Sequence, residues 1–379
     1  MNLFSNYYIV VKRKGYVRWL DLVTAGGGLL LKRMKDLITP EKITLEFCKQ
    51  CIREASVGKA DRHNVKVVLD HIDDYAKKLQ DMILNETFEP SKCTAIVKVE
   101  YGKVRNIEKP EFFPDQAVHH LLINLIYDRI IKRIDPYAIA SIKYRGIHYG
   151  VKAVTRWLAD KNAYKSCRYV IKGDIKQCFA SIKPEVIYAM YERLIKDKKY
   201  LALKRKVLFQ HMSLPLGNYC SSFDLNLLLL PLDQMIREKG YTTHYIRYMD
   251  DFVVFCTNRR KAFALKDEIK ACLAEFGLEL KNNYSLHKTS VFGVDFIGYR
   301  FFFGNTILRK RNFLKITRLA RKLGKARHYQ LHDCRSLVSL LGLCSHCHST
   351  KVIRFVMKTV NYKLVKNIIR GAGKCNSSC

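Results

Sequence analysis

The sequence predicts a mixed α+β protein, and three observations carry that expectation. Some stretches repeat apolar residues at helical spacing, as in Val67 to Met82, where Val68, Leu69, Ile72, Tyr75, Ala76 and Leu79 form one stripe. Others alternate, as in Ala95-Ile96-Val97-Lys98-Val99-Glu100. A third kind is short, apolar and rich in β-branched or aromatic residues, as in Phe252-Val253-Val254-Phe255. Helical and strand segments are interspersed without an internal repeat, which is the α+β pattern.

Taken in order, the first ninety residues read as mixed-charge and mostly helical. Gly26-Gly27-Gly28 lacks the spacing of a phosphate-binding loop and reads as a turn. Thr94 to Ile107 reads as a hairpin turning at Tyr101-Gly102, with a basic second strand, Lys103-Val104-Arg105-Asn106-Ile107. Pro114 opens a helix expected to reach about Ile134, and a second helix around Lys152 to Ala159 precedes a strand from Arg168 to Asp174. Pro184 starts another helix, as proline at a first helical position does. Tyr219 to Glu238 reads as one long apolar helix and Arg259 to Phe276 as an amphipathic one. Strands return at Glu279-Leu280 and over Val294 to Phe303. From Thr306 the chain reads as helical and basic, with Arg309, Lys310, Arg311, Lys315, Arg318, Arg321, Lys322 and Lys325.

A chain of 379 residues, 48% hydrophobic and 11% aromatic, can hold two or three subdomains with a substantial core. Its 68 basic residues against 34 acidic ones leave a net charge of +34, which points to a polyanionic partner. Apolar runs fall short of the roughly 20 residues of a spanning helix. The segment to Leu31 is interrupted by Lys12, Arg13, Lys14, Arg18 and Asp21, which fits neither a signal peptide nor a membrane span. Nucleic acid, not a membrane, is the expected partner. Thirteen cysteines, an odd number, are expected to be reduced and the chain cytoplasmic. Cys344-x-x-Cys347, near His332, Cys334, His346 and His348, has a zinc-like spacing, but Leu337, Leu340, Leu341 and Leu343 favour packed core thiols.

The chemistry centres on Tyr248-Met249-Asp250-Asp251, set between the apolar runs Tyr245-Ile246 and Phe252 to Phe255. Neighbouring side chains of a strand point to opposite faces, whereas in a tight hairpin turn both acids can reach one site. Two carboxylates that close repel unless a cation lies between them, so the pair suggests part of a divalent-metal site. Alone, such a pair is more often a solvated turn. Asp174, at the end of the apolar strand Tyr169 to Asp174, is a third candidate acid. Between them, Leu214 to Ser222 forms a small-residue turn leading into a helix, where Gly217 lets the backbone approach a ligand closely.

In this order the segments resemble the palm of a reverse transcriptase. The strand with Asp174 resembles motif A, Leu214 to Ser222 motif B, and Tyr248-Met249-Asp250-Asp251 motif C. Leu278-Glu279-Leu280 with His287-Lys288-Thr289 resembles motif D, and Gly293 to Tyr299 motif E. Gly102 to Ile107 is similar to the family's basic fingers hairpin. The resemblance implies a right-hand polymerase with an antiparallel palm sheet. Its parts would be a helical N-terminal extension (1–90), fingers (91–168), palm (169–304) and a basic helical thumb (305–379). It also implies two Mg²⁺ ions about 3.5–4 Å apart. Asp174 and Asp250 would be the principal ligands, supported by Asp251 and the Ile175 carbonyl. Lys103 and Arg105 would hold the triphosphate and Lys288 would protonate pyrophosphate; the plainer reading of each is a solvated surface cation. Phe179 falls at the sugar gate, where an aromatic ring excludes a ribose 2′-hydroxyl; the plainer reading is a core phenylalanine. Leu216 and Gly217 would meet the incoming nucleotide, and Tyr248, Met249, Gly298 and Tyr299 the primer and template. The implied partners are a template RNA, an RNA/cDNA duplex and dNTPs.

Leu216 narrows the resemblance. Most reverse transcriptases place Gln before the motif B glycine, whereas enzymes of diversity-generating retroelements, related to those of group II introns, place Ile, Val or Leu. Phe113 to His120 and Tyr144-Arg145-Gly146-Ile147-His148 resemble further stretches of that group, with departures at Gln116, Arg145 and Ser222. The subgroup implies adenine-directed, error-prone cDNA synthesis (mutagenic retrohoming) with a small basic helical accessory protein. An antiphage-defence or group II intron enzyme is an alternative, although residues beyond motif E leave room for a thumb but not a maturase, endonuclease or RNase H domain. A silent RNA-binding scaffold is a third reading, which the intact acids disfavour.

Overall fold

A computed structural model describes residues 33–100 and 103–375, and of Glu100, Lys103 and 372–375 the backbone alone. The expectations for the segment to Leu31, the Gly26-Gly27-Gly28 turn, the Tyr101-Gly102 turn and the Lys103 side chain lie outside the described residues. Helices and antiparallel sheets are mixed, as the sequence predicts. The chain forms two compact units: the described residues to Ile142 with Asp174–Lys239 and Asp267–Asn282, and Lys143–Gly173 with Gly240–Lys266 and the described residues from Asn283. Among the described residues no helix is long and apolar enough to cross a membrane.

In the first unit, helix Leu45–Ser56 starts at Thr44, whose hydroxyl accepts from the Phe47 N–H at 3.2 Å. The predicted stripe from Val67 to Met82 divides into helices His63–Asp70 and Ile72–Leu84, because His71 leaves the helical region at φ −117°, ψ 38°. Strands β1 (Thr94–Glu100) and β2 (Lys103–Lys109) pair antiparallel in the predicted hairpin, Lys98 opposite Arg105. The helix expected from Pro114 to Ile134 is three pieces. A π-turn spans Phe112–Gln116, a helix buried throughout Ala117–Ile123 runs Ala117–Asn124, and a short one covers Tyr127–Ile131. Pro184–Leu194 begins at its proline as expected. The long apolar helix is also divided, into Tyr219–Leu228 and Leu230–Glu238. Pro231 has no N–H to continue the ladder and its ring crowds the preceding turn.

The core of this unit contains a buried polar network. Lys204 Nζ lies 2.9 Å from both carboxylate oxygens of Asp224, and the Tyr191 hydroxyl donates to Asp224 Oδ1 at 2.6 Å. Tyr200 donates to the Leu122 carbonyl at 2.9 Å and Asn226 to that of Ala140 at 2.8 Å, so helices distant in sequence are tied through satisfied polar groups.

The second unit is built on a four-stranded sheet ordered β4-β5-β3-β6, where β3 is Tyr169–Asp174, β4 Thr242–Tyr248, β5 Asp251–Cys256 and β6 Ser285–Lys288. β4 pairs antiparallel with β5, and β3 with β6, Tyr169 opposite Lys288. Residues Phe252 to Cys256 are all buried, which explains their unbroken apolar run. Helix Ile147–Ala159 packs here through Trp157, edge-on to His244 (4.7 Å between centroids) and Phe255 (6.4 Å). Strands β7 (Val294–Phe296), β8 (Tyr299–Phe302) and β9 (Asn305–Leu308) form an antiparallel meander. The predicted basic helix begins at Lys310, after β9, and runs to Lys325. It buries Ile316, Thr317, Ala320 and Leu323 and exposes Lys310, Arg311, Lys315, Arg318, Arg321 and Lys322. The strand expected at Glu279-Leu280 is a single antiparallel bridge, Leu280 to Ile175.

Candidate active site

Register explains how Asp250 and Asp251 share one turn. Tyr248 pairs with Asp251 across β4 and β5, so Met249 and Asp250 are the whole connection. A two-residue loop needs positive φ at its first position, and Met249 adopts φ +55°. A side chain there costs roughly 1–2 kcal/mol. Arg247, wholly buried, donates from Nη1 to the Met249 carbonyl at 3.0 Å and helps hold the turn. Sequence reasoning passed over Arg247; its signal was a lone cation inside an apolar strand.

Asp251 is half-buried, and its Oδ2 lies 3.8 Å from Lys172 Nζ. The contact sets the C-terminal part of β3 beside the start of β5, as the strand order requires. With both side chains about a third exposed, the pair orients more than it stabilises.

Asp174 is gripped within the first unit by the segment Glu279–Lys281. The Lys281 N–H donates to the Asp174 carbonyl at 2.9 Å, and its ammonium lies 2.5 Å from Asp174 Oδ1. Ile175, fully buried, bridges Leu280, and the Lys176 N–H donates to the Glu279 carbonyl at 2.8 Å. Lys281 is a residue the sequence reading missed. The lysine it chose, Lys288, ends β6 in the second unit with its side chain exposed. Phe179 is half-buried in the one-turn helix Cys178–Ser181, after Gln177 in a left-handed conformation.

Leu216 and Gly217 meet the basic hairpin. The Glu108 N–H donates to the Leu216 carbonyl at 3.0 Å. Gly217 has φ +98°, and a Cβ there would lie 2.6 Å from Ile107 Cγ2 and 3.1 Å from the Glu108 carbonyl oxygen. The close approach expected at Gly217 is therefore made by strand β2. Asn218 then caps helix Tyr219–Leu228, its Oδ1 accepting from the Cys220 N–H at 3.0 Å. Arg105 lies exposed on β2, in the same unit.

Ile297 and Gly298, at φ +41° and +93°, form the two-residue turn between β7 and β8. The Gly298 carbonyl accepts from the Arg309 N–H (3.1 Å) and Asn312 Nδ2 (3.0 Å). Tyr299 is fully buried with its hydroxyl donating to the Leu343 carbonyl at 3.0 Å, so its ring anchors the meander and offers no surface to a nucleic acid. Cys344 is buried, and the Cys347 thiol donates to the Leu343 carbonyl at 3.7 Å, the setting of packed thiols.

The acids supply oxygen donors alone, which suits a hard divalent cation. Ammonium groups already compensate two of them, Lys281 at Asp174 and Lys172 at Asp251. An Asp-Asp turn on one hairpin and an aspartate ending strand β3 are the acidic pattern that the sequence likened to a nucleotidyl-transferring polymerase. Residues 116–301 match the family described as "Reverse transcriptase (RNA-dependent DNA polymerase)". Over residues 116–301, just under half of its length, the chain thus resembles a reverse transcriptase domain, a type that uses divalent metal ions, an RNA template and dNTPs. A curated relative, the "Uncharacterized 91 kDa protein in cob intron" of Schizosaccharomyces pombe, is 26% identical over 183 residues, covering 44% of this chain and 21% of the relative. The chain thus spans about a fifth of that relative's length.

Proposed function

We propose that the protein copies a template RNA into cDNA, with Asp174, Asp250 and Asp251, aided by the Ile175 carbonyl, holding two Mg²⁺ ions. When bound, the ions would lower the pKa of the primer 3′-hydroxyl and neutralise the departing pyrophosphate. The observation that carries the reading is the Met249-Asp250 turn, strained, pinned by buried Arg247 and opening directly into Asp251. Strain persists where the surroundings over-determine it, most often at functional sites. Asp174 follows Lys172 by two positions on β3, so strand periodicity gives the two side chains the same face.

The remaining roles follow from residue chemistry. Lys98 and Arg105 stand opposite each other in the hairpin, so two cations share one stretch of it. Arg105 and Lys103 would hold the triphosphate. Phe179 would close off the ribose 2′-position, and Lys288 would donate a proton to pyrophosphate. Tyr248, Met249 and Gly298 would border the primer and template. The exposed cations of helix Lys310–Lys325 would track the duplex backbone as a thumb, with fingers, palm and thumb arranged as a right hand.

Leu216 supports a diversity-generating enzyme, acting in the cytoplasm with a small basic accessory protein. An aliphatic side chain cannot hydrogen-bond a base-pair edge, which relaxes geometric checking. A second reading, an intron-type enzyme, is favoured by the relative encoded in an intron. Primer extension on poly-rA with dTTP and Mg²⁺ tests the activity. Incorporation that disappears in D250N and D251N supports it, and silence of the wild type with RNA binding retained favours a scaffold. Sequencing cDNA made by wild type and Leu216→Gln tests the subtype: fewer errors at template adenines in the variant support relaxed checking, and an unchanged spectrum removes it.

A further inference from the structure

In a chain of net charge +34, one corner of the first unit is locally anionic. Cys93, just before β1, Glu108, near the end of β2, and His211, just after helix Lys198–Phe209, bring one ligand atom each within 4.8 Å of one another. His211 is buried at 7% exposure, with Nδ1 against the Glu108 carboxylate and Nε2 buried without a hydrogen-bond partner. Beside them, fully buried Asp115 accepts from the Ser91 N–H through Oδ1 at 3.0 Å, while its Oδ2 is also buried and unpartnered. Gathered carboxylates beside a thiol and a buried imidazole are costly without a cation.

We propose that Cys93, Glu108 and His211 form a zinc site that fastens the basic hairpin to the turn bearing Leu216 and Gly217. Sulfur, nitrogen and oxygen donors together suit Zn²⁺, whereas Mg²⁺ takes oxygen donors, so this site is chemically distinct from the aspartates. Binding releases the Cys93 proton to solvent as the Sγ–Zn bond forms. One thiolate and one carboxylate then balance the ion's two charges around a neutral imidazole, and a water completes a tetrahedron. Glu108 is the connecting residue. Its side chain would ligate the ion while its N–H holds the Leu216 carbonyl at 3.0 Å, so the ion would stiffen the contact between β2 and that turn.

The full-length chain, expressed with zinc and passed through gel filtration, is measured for metal content and for cobalt absorption. The expected result is about one zinc per chain. That zinc is lost in C93S and in H211N, and kept in the Cys344→Ser/Cys347→Ser double variant and in D250N. Cobalt exchanged into the wild type should show a thiolate charge-transfer band absent from C93S. Circular dichroism shows whether each variant is folded, and the cobalt spectrum of the wild type stands whether or not C93S folds. Wild type without retained zinc, cobalt without a charge-transfer band, or zinc lost only in the Cys344/Cys347 variant would each overturn the site.

Discussion

Lys281 holds Asp174 twice, through its backbone N–H to the Asp174 carbonyl at 2.9 Å and through its ammonium 2.5 Å from Oδ1. The ammonium therefore occupies a carboxylate oxygen that the proposed metal site would use, while the backbone bond survives any side-chain change. Lys281→Met should lower the Mg²⁺ concentration for half-maximal dTTP incorporation. The pair is partly exposed, so the change should be small, about two- to fivefold. A magnesium titration of both proteins checks the direction, and a higher requirement in the variant refutes the competition.

Gly217 is constrained by conformation and by space. At φ +98°, with Ile107 Cγ2 2.6 Å from where a Cβ would sit, Gly217→Ala should lose roughly 1–3 kcal/mol of stability. Urea unfolding measures the loss. Gly58, also at positive φ (+73°) but with open space around its Cβ position, is the control. Gly58→Ala should cost less.

The Lys204–Asp224 pair is buried on both sides, its side chains 1% and 0% exposed. Burial pushes the Lys204 ammonium down, yet Asp224 and Cys220 raise it above its ordinary value overall. Asp224→Ala would leave that charge without its partner and should cost about 3–5 kcal/mol. The double change K204M/D224L should recover most of the loss, which denaturant curves of both variants would reveal.

His119 is fully enclosed, with both ring nitrogens unpartnered. Burial, followed by the charges of Lys204, His120 and His211, lowers it from 6.5 to about 3. Below pH 6.5 the unfolded chain takes up a proton that the folded chain refuses. Stability is thus fully present above pH 6.5 and falls with pH toward about 3, by about 1.4 kcal/mol per unit. His119→Phe should flatten that slope in thermal melts between pH 6 and pH 4.

The hairpin carrying Asp250 and Asp251 was legible because apolar strands bracket an acidic pair with no room for a longer loop. Pro184 as a helix start was legible because proline fixes its own φ. The break at Pro231 was available to the same rule, but the apolar run from Tyr219 to Glu238 masked it. Gly217 announced a close approach without naming what approaches, since the partner, β2, lies more than a hundred residues earlier. Lys281 was invisible for a related reason. A lysine or arginine looks the same in sequence whether solvent or a carboxylate surrounds it, and only long-range packing decides. The cluster of Cys93, Glu108 and His211 joins three segments with no local motif to mark it.

Strand β3 sits between β5 and β6, and both of those neighbours come later in the chain. During synthesis β3 leaves the ribosome with neither partner yet made, and one of its edges stays unmatched until Lys288 has been added. An unpaired apolar strand is a template for wrong pairings, so this interval is when a nascent chain is most exposed to aggregation. The sheet can close only after most of the polypeptide exists. Premature termination before β6 therefore yields a product that holds Asp174, Asp250 and Asp251 and lacks the strand needed to complete the sheet.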